Sequence, residues 1–186
     1  MATAPTQTTL EEFLKLPEEK PALELVDGVI SQKVSPRGRH AVLQGALTER
    51  LNRTGLASRS ARAFPELRVT FAGASYVPDV AVYRWQRIPV DARGRVADNF
   101  VEPPDIAIEI VSPEQSVNAL VRRCLWYVAN GVQIALLVDP GDESVLAFQP
   151  GNRASAWRGS ERIDLHEVLL DFDLTVEQLF ASLNHA

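Results

Sequence analysis

The sequence predicts an α/β (α+β) fold in which helices flank a mixed β-sheet. Strand-like runs occur as hairpin pairs early in the chain, one strand–helix–strand unit follows, and other segments carry apolar residues at helical spacing. Hydrophobic residues make up 46% and charged residues 23% of the 186 residues, the usual balance of a globular protein. We expect a single domain spanning residues 1–186, with residues 1–8 as a flexible N-terminus.

The first half of the chain predicts two helices and two hairpins. Thr8 or Thr9 followed by two glutamates is typical of a capped helix start, and Asp27-Gly28 is typical of a hairpin turn. Apolar residues three and four apart predict the second helix. The predicted elements are a short helix ending before Pro17, strands over 22–26 and 29–34, a helix over 40–53, and strands over 67–71 and 76–82.

The second half of the chain predicts a central strand followed by a helix and further strands. The run 106–111 is apolar apart from one acid, as expected of a strand covered on both faces. A one-sided apolar pattern predicts a helix from about Ser116 to Asn130, with Trp126 projecting from the opposite face. The remaining predictions are a flap or disordered loop over 84–103, strands over 133–138 and 144–148, a loop over 150–160, and a closing helix over 174–183.

Composition narrows the classes of function. Cys124 is the single cysteine, which excludes an intramolecular disulfide and a cysteine zinc cluster. The net charge of −5 disfavours a protein that coats nucleic acid through a broad basic surface. The first eight residues lack the apolar and basic segments of a secretory signal, and no apolar run approaches membrane-spanning length. We therefore expect a cytoplasmic protein with no membrane partner.

Three acids lie within strand-like sequence: Glu24, Asp79 and Glu109. An unpaired carboxylate is expensive to bury, and two neighbouring carboxylates repel each other unless a cation or a proton lies between them. A hard cation such as Mg²⁺ or Mn²⁺ suits oxygen ligands. The alternative is that each acid faces solvent or pairs with one of the many arginines, which a sequence pattern alone leaves open. Asp105 and Asp139 are predicted to be a strand-entry residue and a turn residue.

Other catalytic motifs are absent. The chain has no Gly-rich phosphate loop, no His-x-x-x-His pair and no Gly-x-Ser-x-Gly elbow, and its three histidines are dispersed. Of these, His40 is kept as a candidate site residue near a predicted helix start. The basic loop that precedes it, residues 35–39, could contact phosphate groups, although a solvated loop is the commoner meaning.

Five short motifs follow one another along most of the chain. They are Glu24-Leu-Val-Asp-Gly28, Val77-Pro-Asp-Val80, Pro104-Asp-Ile-Ala-Ile-Glu-Ile-Val-Ser-Pro113, Tyr127 with Gly131-Val132, and Leu137-Val-Asp-Pro140. Their order and spacing resemble the Uma-type family of restriction-endonuclease-like proteins, within the PD-(D/E)XK nuclease superfamily. The resemblance extends from about Leu10 to Phe148.

The resemblance implies a restriction-endonuclease-like fold and a metal-dependent phosphodiesterase. Asp79 and Glu109 would hold Mg²⁺ or Mn²⁺, the Ile110 carbonyl would be a further ligand, and Glu24 would be an additional acid at the metal. The metal would activate a water molecule for attack on a nucleic-acid phosphodiester, with DNA as the expected substrate. A homodimer is also expected, because two cuts on a duplex favour paired sites.

The sequence departs from the superfamily pattern at its basic residue. A lysine two positions after the glutamate would fall at Val111, and no lysine is there. The resemblance implies that Arg123, four residues before Tyr127, takes this role, so the predicted catalytic residues are Glu24, Asp79, Glu109 and Arg123. Arginine stays protonated and transfers protons poorly. Lys33, on the strand after Glu24, is a less favoured substitute that depends on geometry.

Two other functions remain open at this stage. The missing lysine and the acidic balance favour a catalytically impaired relative that acts as a nucleic-acid-binding or protein-binding module. A purely structural or interaction protein, in which arginines neutralise the acids, would have no metal affinity.

Overall fold

The computed structural model describes residues 7–185, which form two β-sheets and four α-helices. The helices are α1 Leu10–Phe13, α2 Gly38–Ser58, α3 Val117–Ala129 and α4 Val176–Ala181. The strands are β1 Leu23–Val26, β2 Val29–Gln32, β3 Ala61–Pro65, β4 Val69–Phe71, β5 Ala74–Tyr76, β6 Val80–Arg84, β7 Ile106–Ile110, β8 Ile134–Asp139, β9 Ser144–Gln149 and β10 Arg153–Arg158. Residues 1–6 of the predicted flexible N-terminus lie outside the described residues. Thr8 is anchored, because its amide donates to the Gly28 carbonyl at 3.0 Å.

The larger sheet has six strands in the order β10-β9-β8-β7-β6-β3. Neighbouring strands are antiparallel except β7 and β8, which are parallel and are joined through α3. This arrangement confirms the predicted mixed sheet flanked by helices. The predicted central strand is β7, which is buried along its whole length.

The smaller sheet is antiparallel, with the strand order β2-β1-β5-β4. Its β1–β2 hairpin turns at Asp27 and Gly28, whose φ angles of 49° and 75° suit a type I′ turn. The prediction of one strand over 76–82 is wrong, because β5 belongs to the smaller sheet and β6 to the larger one. Residues 77–79 link the two sheets, so Asp79 lies at a sheet junction rather than inside a strand.

The core lies on both faces of the larger sheet. Alternate residues of β7 pack with α2 and α4 on one face, and with α3 and the smaller sheet on the other. Each fully buried isoleucine of β7 contributes about 2 kcal/mol of hydrophobic free energy. Because side chains alternate along a strand, Glu109 projects away from the face of Ile108 and Ile110 and toward α3.

Capping residues define the helix starts that the sequence predicts. Thr9 and Glu12 form a capping box at α1, and the Ser116 hydroxyl accepts from the Ala119 amide at α3. The second predicted helix is present and longer than expected, since α2 runs from Gly38 to Ser58. None of the helices within residues 7–185 combines the length and apolar character that crossing a membrane requires.

Three local predictions need correction. The segment predicted as a loop over 150–160 contains the edge strand β10, and β3 was not predicted. The connection over 84–103 packs on the fold, since Phe100 is buried and its carbonyl accepts from the Thr70 amide at 2.9 Å. Trp126 does not project outward: its ring centroid lies 5.2 Å from that of Phe71 and 4.9 Å from that of Tyr76.

Candidate active site

The structure brings the three predicted acids together at the junction of the two sheets. Glu24 lies on β1 and Glu109 on β7, and Asp79 ends the link between the sheets. Val80 pairs with Ile108, so the residues next to them, Asp79 and Glu109, lie at the same end of the β6–β7 ladder. The Val77 amide of the link donates to Glu24 Oε1 at 2.9 Å. All three acids are buried, with at most 2% of their surface exposed.

Both carboxylate oxygens of Asp79 accept hydrogen bonds. Lys33 Nζ donates to Oδ1 at 2.6 Å, while His40 Nε2 and the Ile110 amide donate to Oδ2 at 2.9 and 2.7 Å. Burial would raise the pKa of Asp79, but the His40 hydrogen bond and the Lys33 charge outweigh burial and lower it. Asp79 is therefore held as a carboxylate.

Lys33 is nearly as buried as the acid it contacts. Its side chain is 7% exposed, and Nζ also donates to Glu66 Oε1 at 2.8 Å. Burial would lower the pKa of Lys33. The charges of Asp79 and Glu109, together with the hydrogen bonds to Asp79 and Glu66, outweigh burial and raise this pKa. Lys33 is therefore a permanent cation at this junction.

Two residues of α3 contact the Glu109 carboxyl group. The Tyr127 hydroxyl donates to Glu109 Oε1 at 2.7 Å, and Arg123 Nη1 lies 3.5 Å from the same oxygen. Within residues 7–185, Oε2 of Glu109 receives no hydrogen bond. Burial raises the pKa of Glu109 to about 7; the Arg123 charge opposes this rise, and the charges of Asp79 and Glu24 add to it.

Arg123 lies at the site as predicted, but its guanidinium is engaged by acids. Nη2 donates to Glu24 Oε2 at 2.7 Å and Nη1 to Glu24 Oε1 at 3.3 Å, a bidentate pair. The guanidinium carbon also lies 5.0 Å from the ring centroid of Tyr76. Arg123 thus ties Glu24 of the smaller sheet to Glu109 of the larger one.

Sequence reasoning gave too little weight to two residues, Lys33 and His40. Lys33 is 46 positions from Asp79 in sequence and His40 is 39, so no short motif joins them. The useful signal was the scarcity of lysine: the chain has three, and Lys33 follows the hairpin of Glu24. His40 is buried in the first turn of α2, and its Nδ1 has no hydrogen-bond partner within the described residues.

A groove leads to the site. Its volume is about 790 Å³, and Lys33 and Glu66 lie in its wall together with Glu18, Arg68, Val77 and Asp98. Asp79 is not part of this wall, and Lys33 contacts both the groove and Asp79. A ligand in the groove would therefore contact Lys33 rather than Asp79.

The donors suit a hard divalent cation at two of the three acids. Within residues 7–185, no three His, Cys, Asp or Glu side chains form a ready-made metal centre. Mg²⁺ commonly takes only one or two carboxylates and completes its shell with water and substrate phosphate. Asp79 and Glu109 are neighbouring carboxylates, and Glu109 Oε2 is free of hydrogen bonds from the described residues. Glu24 is less available, because Arg123 and the Val77 amide hold both its oxygens.

The family model described as "Uma2: Putative restriction endonuclease" matches residues 10–177. The chain belongs to the Uma2 family. It is also similar to a "putative nuclease belonging to DUF820" from Anabaena variabilis ATCC 29413, with a crystal structure at 1.96 Å. The identity is 36% and the TM-score 0.91, and the match covers 95% of this chain and 99% of that chain. These matches confirm the predicted Uma-type family and restriction-endonuclease-like fold.

Membership in the Uma2 family indicates a nuclease. A cryo-electron-microscopy structure of a DrdV–DNA complex matches with a TM-score of 0.33 and 10% identity. That match covers 61% of this chain and 12% of the other, and it is too distant to carry an argument. No curated protein sequence matches the chain.

Proposed function

We propose that this Uma2 protein is a metal-dependent endonuclease that hydrolyses phosphodiester bonds of DNA. The observation that carries the proposal is the proximity of two buried carboxylates at a sheet junction beside a groove: Asp79 accepts from the Ile110 amide, and Glu109 precedes Ile110 on β7. Three carboxylates at the junction face two permanent cations, Lys33 and Arg123. This excess of negative charge favours a further cation.

Asp79 and Glu109 would hold the cation, Mg²⁺ or Mn²⁺, and the Ile110 carbonyl remains the proposed further ligand. When bound, the metal supplies a Lewis acid that acidifies a water molecule and neutralises charge on the phosphate. Strand pairing holds the backbone of Glu109, and the Glu66 amide and the Gln44 side chain hold the Asp79 carbonyl. Such preorganisation lowers the reorganisation energy of the reaction.

Lys33 is the best candidate for the superfamily lysine that is missing at Val111. Its ammonium group lies against Asp79 and borders the groove, so it can neutralise charge on a phosphate bound there. Arg123 has a positioning role in this account, because it is already paired with Glu24 and Glu109. Tyr127 fixes Glu109, and His40 fixes Asp79.

One observation favours the alternative of a nucleic-acid-binding or protein-binding module. Lys33 and Arg123 already form ion pairs with all three acids, which is how a protein would stabilise them without a metal. The alternative predicts DNA binding that does not depend on Mg²⁺ and is not followed by cleavage.

The test is cleavage of supercoiled plasmid, which separates the two functions. We expect the wild type to nick or linearise the plasmid with Mg²⁺ or Mn²⁺ and to be inactive with EDTA. Asp79→Asn should be inactive, while the matched control Asp139→Asn should retain activity, because an asparagine preserves the turn contact to the Gly141 amide. Equal nicking by wild type and Asp79→Asn would contradict the proposal. The same assay with an RNA substrate tests the preference for DNA.

The expected homodimer stays a prediction. Light scattering on the purified protein, with and without a DNA duplex, would measure the mass of the species in solution. A dimer would agree with linear products from paired cuts, and a monomer on DNA would contradict it.

A further inference from the structure

We infer that Lys33 is a built-in counter-ion that the divalent cation displaces from Asp79, and that Glu66 retains the displaced ammonium group. The inference rests on the proposed metal site at Asp79 and Glu109. It adds a function for two residues of the N-terminal half of the chain, one of which, Glu66, has no side-chain role in the nuclease proposed above.

The ammonium group of Lys33 bridges two carboxylates of unequal burial. Nζ lies 2.6 Å from Asp79 Oδ1 and 2.8 Å from Glu66 Oε1. The Asp79 side chain is 2% exposed, whereas that of Glu66 is 43% exposed and borders the groove. A small movement of Nζ toward Glu66 would therefore uncover Asp79 Oδ1 and leave the ammonium group paired at the groove.

The hydrogen bonds at Asp79 and Glu109 show which carboxylate oxygens a cation would have to compete for. Glu109 Oε2 is free of hydrogen bonds from residues 7–185, whereas both oxygens of Asp79 are engaged. Oδ2 of Asp79 is held by His40 on α2 and by the Ile110 amide on β7, which are both parts of regular elements. Oδ1 is held by Lys33, whose four-carbon stem is flexible. A cation that joins the two carboxylates therefore competes with Lys33.

Glu66 is fixed next to Asp79 and can receive the lysine. Its amide donates to the Asp79 carbonyl at 3.2 Å. Gln44 of α2 donates to both groups, to Glu66 Oε1 at 3.0 Å and to the Asp79 carbonyl at 2.8 Å. Because these contacts hold the Glu66 backbone and side chain, the displaced ammonium group keeps an ion pair and stays in the groove wall.

The arrangement couples metal binding to substrate binding. Before the cation binds, Lys33 neutralises the buried Asp79; afterwards its charge is available in the groove to a phosphate group. A phosphate in the groove would thus interact with Lys33 more strongly in the metal-loaded protein, where Lys33 no longer pairs with Asp79.

The test is the affinity for Mn²⁺, measured by calorimetry on metal-free protein. Removing the competing charge in Lys33→Met should tighten Mn²⁺ binding by about tenfold or more. Removing the receiving carboxylate in Glu66→Gln should weaken it, by about threefold to tenfold. Opposite effects from the two ends of one bridge are not expected of general damage to the site. In the double variant, the Glu66→Gln effect should disappear.

Arg39→Gln is the charge-matched control. Arg39 is an exposed residue of α2 next to His40 in sequence, and the described structure shows no contact between it and Asp79. Its substitution removes one positive charge without opening Asp79, so Mn²⁺ affinity should change less than about twofold. An equal gain in Mn²⁺ affinity in Arg39→Gln and Lys33→Met would show that net charge alone causes the gain, and it would overturn the inference.

The outcomes separate this inference from the proposed function. If the wild type binds Mn²⁺ and Asp79→Asn does not, an unchanged or weaker affinity in Lys33→Met overturns the counter-ion role alone. Binding by Lys33→Met without binding by the wild type supports it. No binding by either protein overturns both. Should Lys33→Met fail to fold, Glu66→Gln carries the test, because unaltered binding in that variant contradicts the receiving role.

Discussion

Two buried clusters in this protein combine acids with arginines, and they differ in the sign of their excess charge. At the start of β7, Asp105 is fully buried and contacts two arginines, with Arg84 Nη1 and Arg87 Nη1 each 2.8 Å from Oδ1. The Arg84 amide donates to Oδ2 at 2.8 Å. One carboxylate thus faces two guanidinium groups, and both of its oxygens are engaged.

At the other end of β7 the balance is reversed. Glu24, Asp79 and Glu109 face Lys33 and Arg123, and one oxygen of Glu109 lacks a hydrogen bond from the described residues. A buried carboxylate therefore does not by itself mark a functional site. An excess of carboxylates over fixed cations, next to a groove, is what favours a bound metal.

The largest expected difference between the clusters is in cleavage. Glu109→Gln removes one of the two carboxylates proposed to hold the metal and should lower the DNA cleavage rate by about 100- to 1000-fold. Asp105→Asn should leave the rate per folded molecule within about threefold, since Asp105 lies at the opposite end of β7. Plasmid nicking at matched concentrations of folded protein measures both. Equal losses of cleavage rate in the two variants would contradict the functional distinction between the two clusters.

The two variants should rank in the opposite order in stability, with the larger loss in Asp105→Asn. Asp105→Asn leaves two guanidinium groups without their carboxylate and should lower the free energy of unfolding by about 3 kcal/mol. The value is toward the low end for buried pairs because Arg84 and Arg87 are each about one-third exposed. Urea unfolding with EDTA present checks it. A loss below about 1 kcal/mol would show that the cluster contributes little.

The pH dependence of stability tests the excess negative charge at Glu109. Burial raises the pKa of Glu109 from 4.5 to about 7, so between these values the folded protein holds a proton that the unfolded chain has released. The stability contributed by this proton is fully present below about pH 4.5 and is lost as the pH rises through about 7. In the Glu109→Gln variant, the amide that replaces this carboxyl group cannot ionise.

Relative to the wild type, Glu109→Gln should therefore gain on the order of 3 kcal/mol in unfolding free energy over that pH range, without metal. Urea unfolding of both proteins at a series of pH values gives the difference directly. A difference that stays constant with pH would mean that Glu109 is not destabilised by burial.

The smallest effect is expected at an exposed ion pair near the site. Arg37, which precedes α2, pairs with Glu114, and both side chains are mostly exposed. Arg37→Gln should change the free energy of unfolding by less than about 0.5 kcal/mol. Thermal unfolding of the variant checks this value, and a loss above about 1 kcal/mol would show a structural role that exposure does not predict.

Elements with strong local patterns could be predicted from the sequence. The apolar run of β7 and the one-sided pattern of α3, with Ser116 as its cap, correspond to the observed elements. Strand β10 was missed because its residues are mostly exposed and the apolar residues that alternate at its start are only alanines. The division of 76–82 into β5 and β6 was missed because a continuous apolar pattern does not reveal a change of sheet.

The candidate site was predictable for its acids and less so for its cations. Asp79 and Glu109 stand out because an acid inside apolar sequence is unusual. Arg123 was found through the resemblance to a nuclease family, and the structure shows it paired with Glu24. Lys33 approaches Asp79 only through tertiary folding across 46 positions, which no local pattern encodes.

The most direct test of the charge-excess account is to locate Mn²⁺ by anomalous diffraction in crystals grown with this ion. We expect a peak between the carboxylates of Asp79 and Glu109, no peak at Asp105, and Lys33 Nζ paired with Glu66 rather than with Asp79. Crystals at saturating Mn²⁺ that show no peak at Asp79 and Glu109, with Lys33 still bound to Asp79, would contradict it.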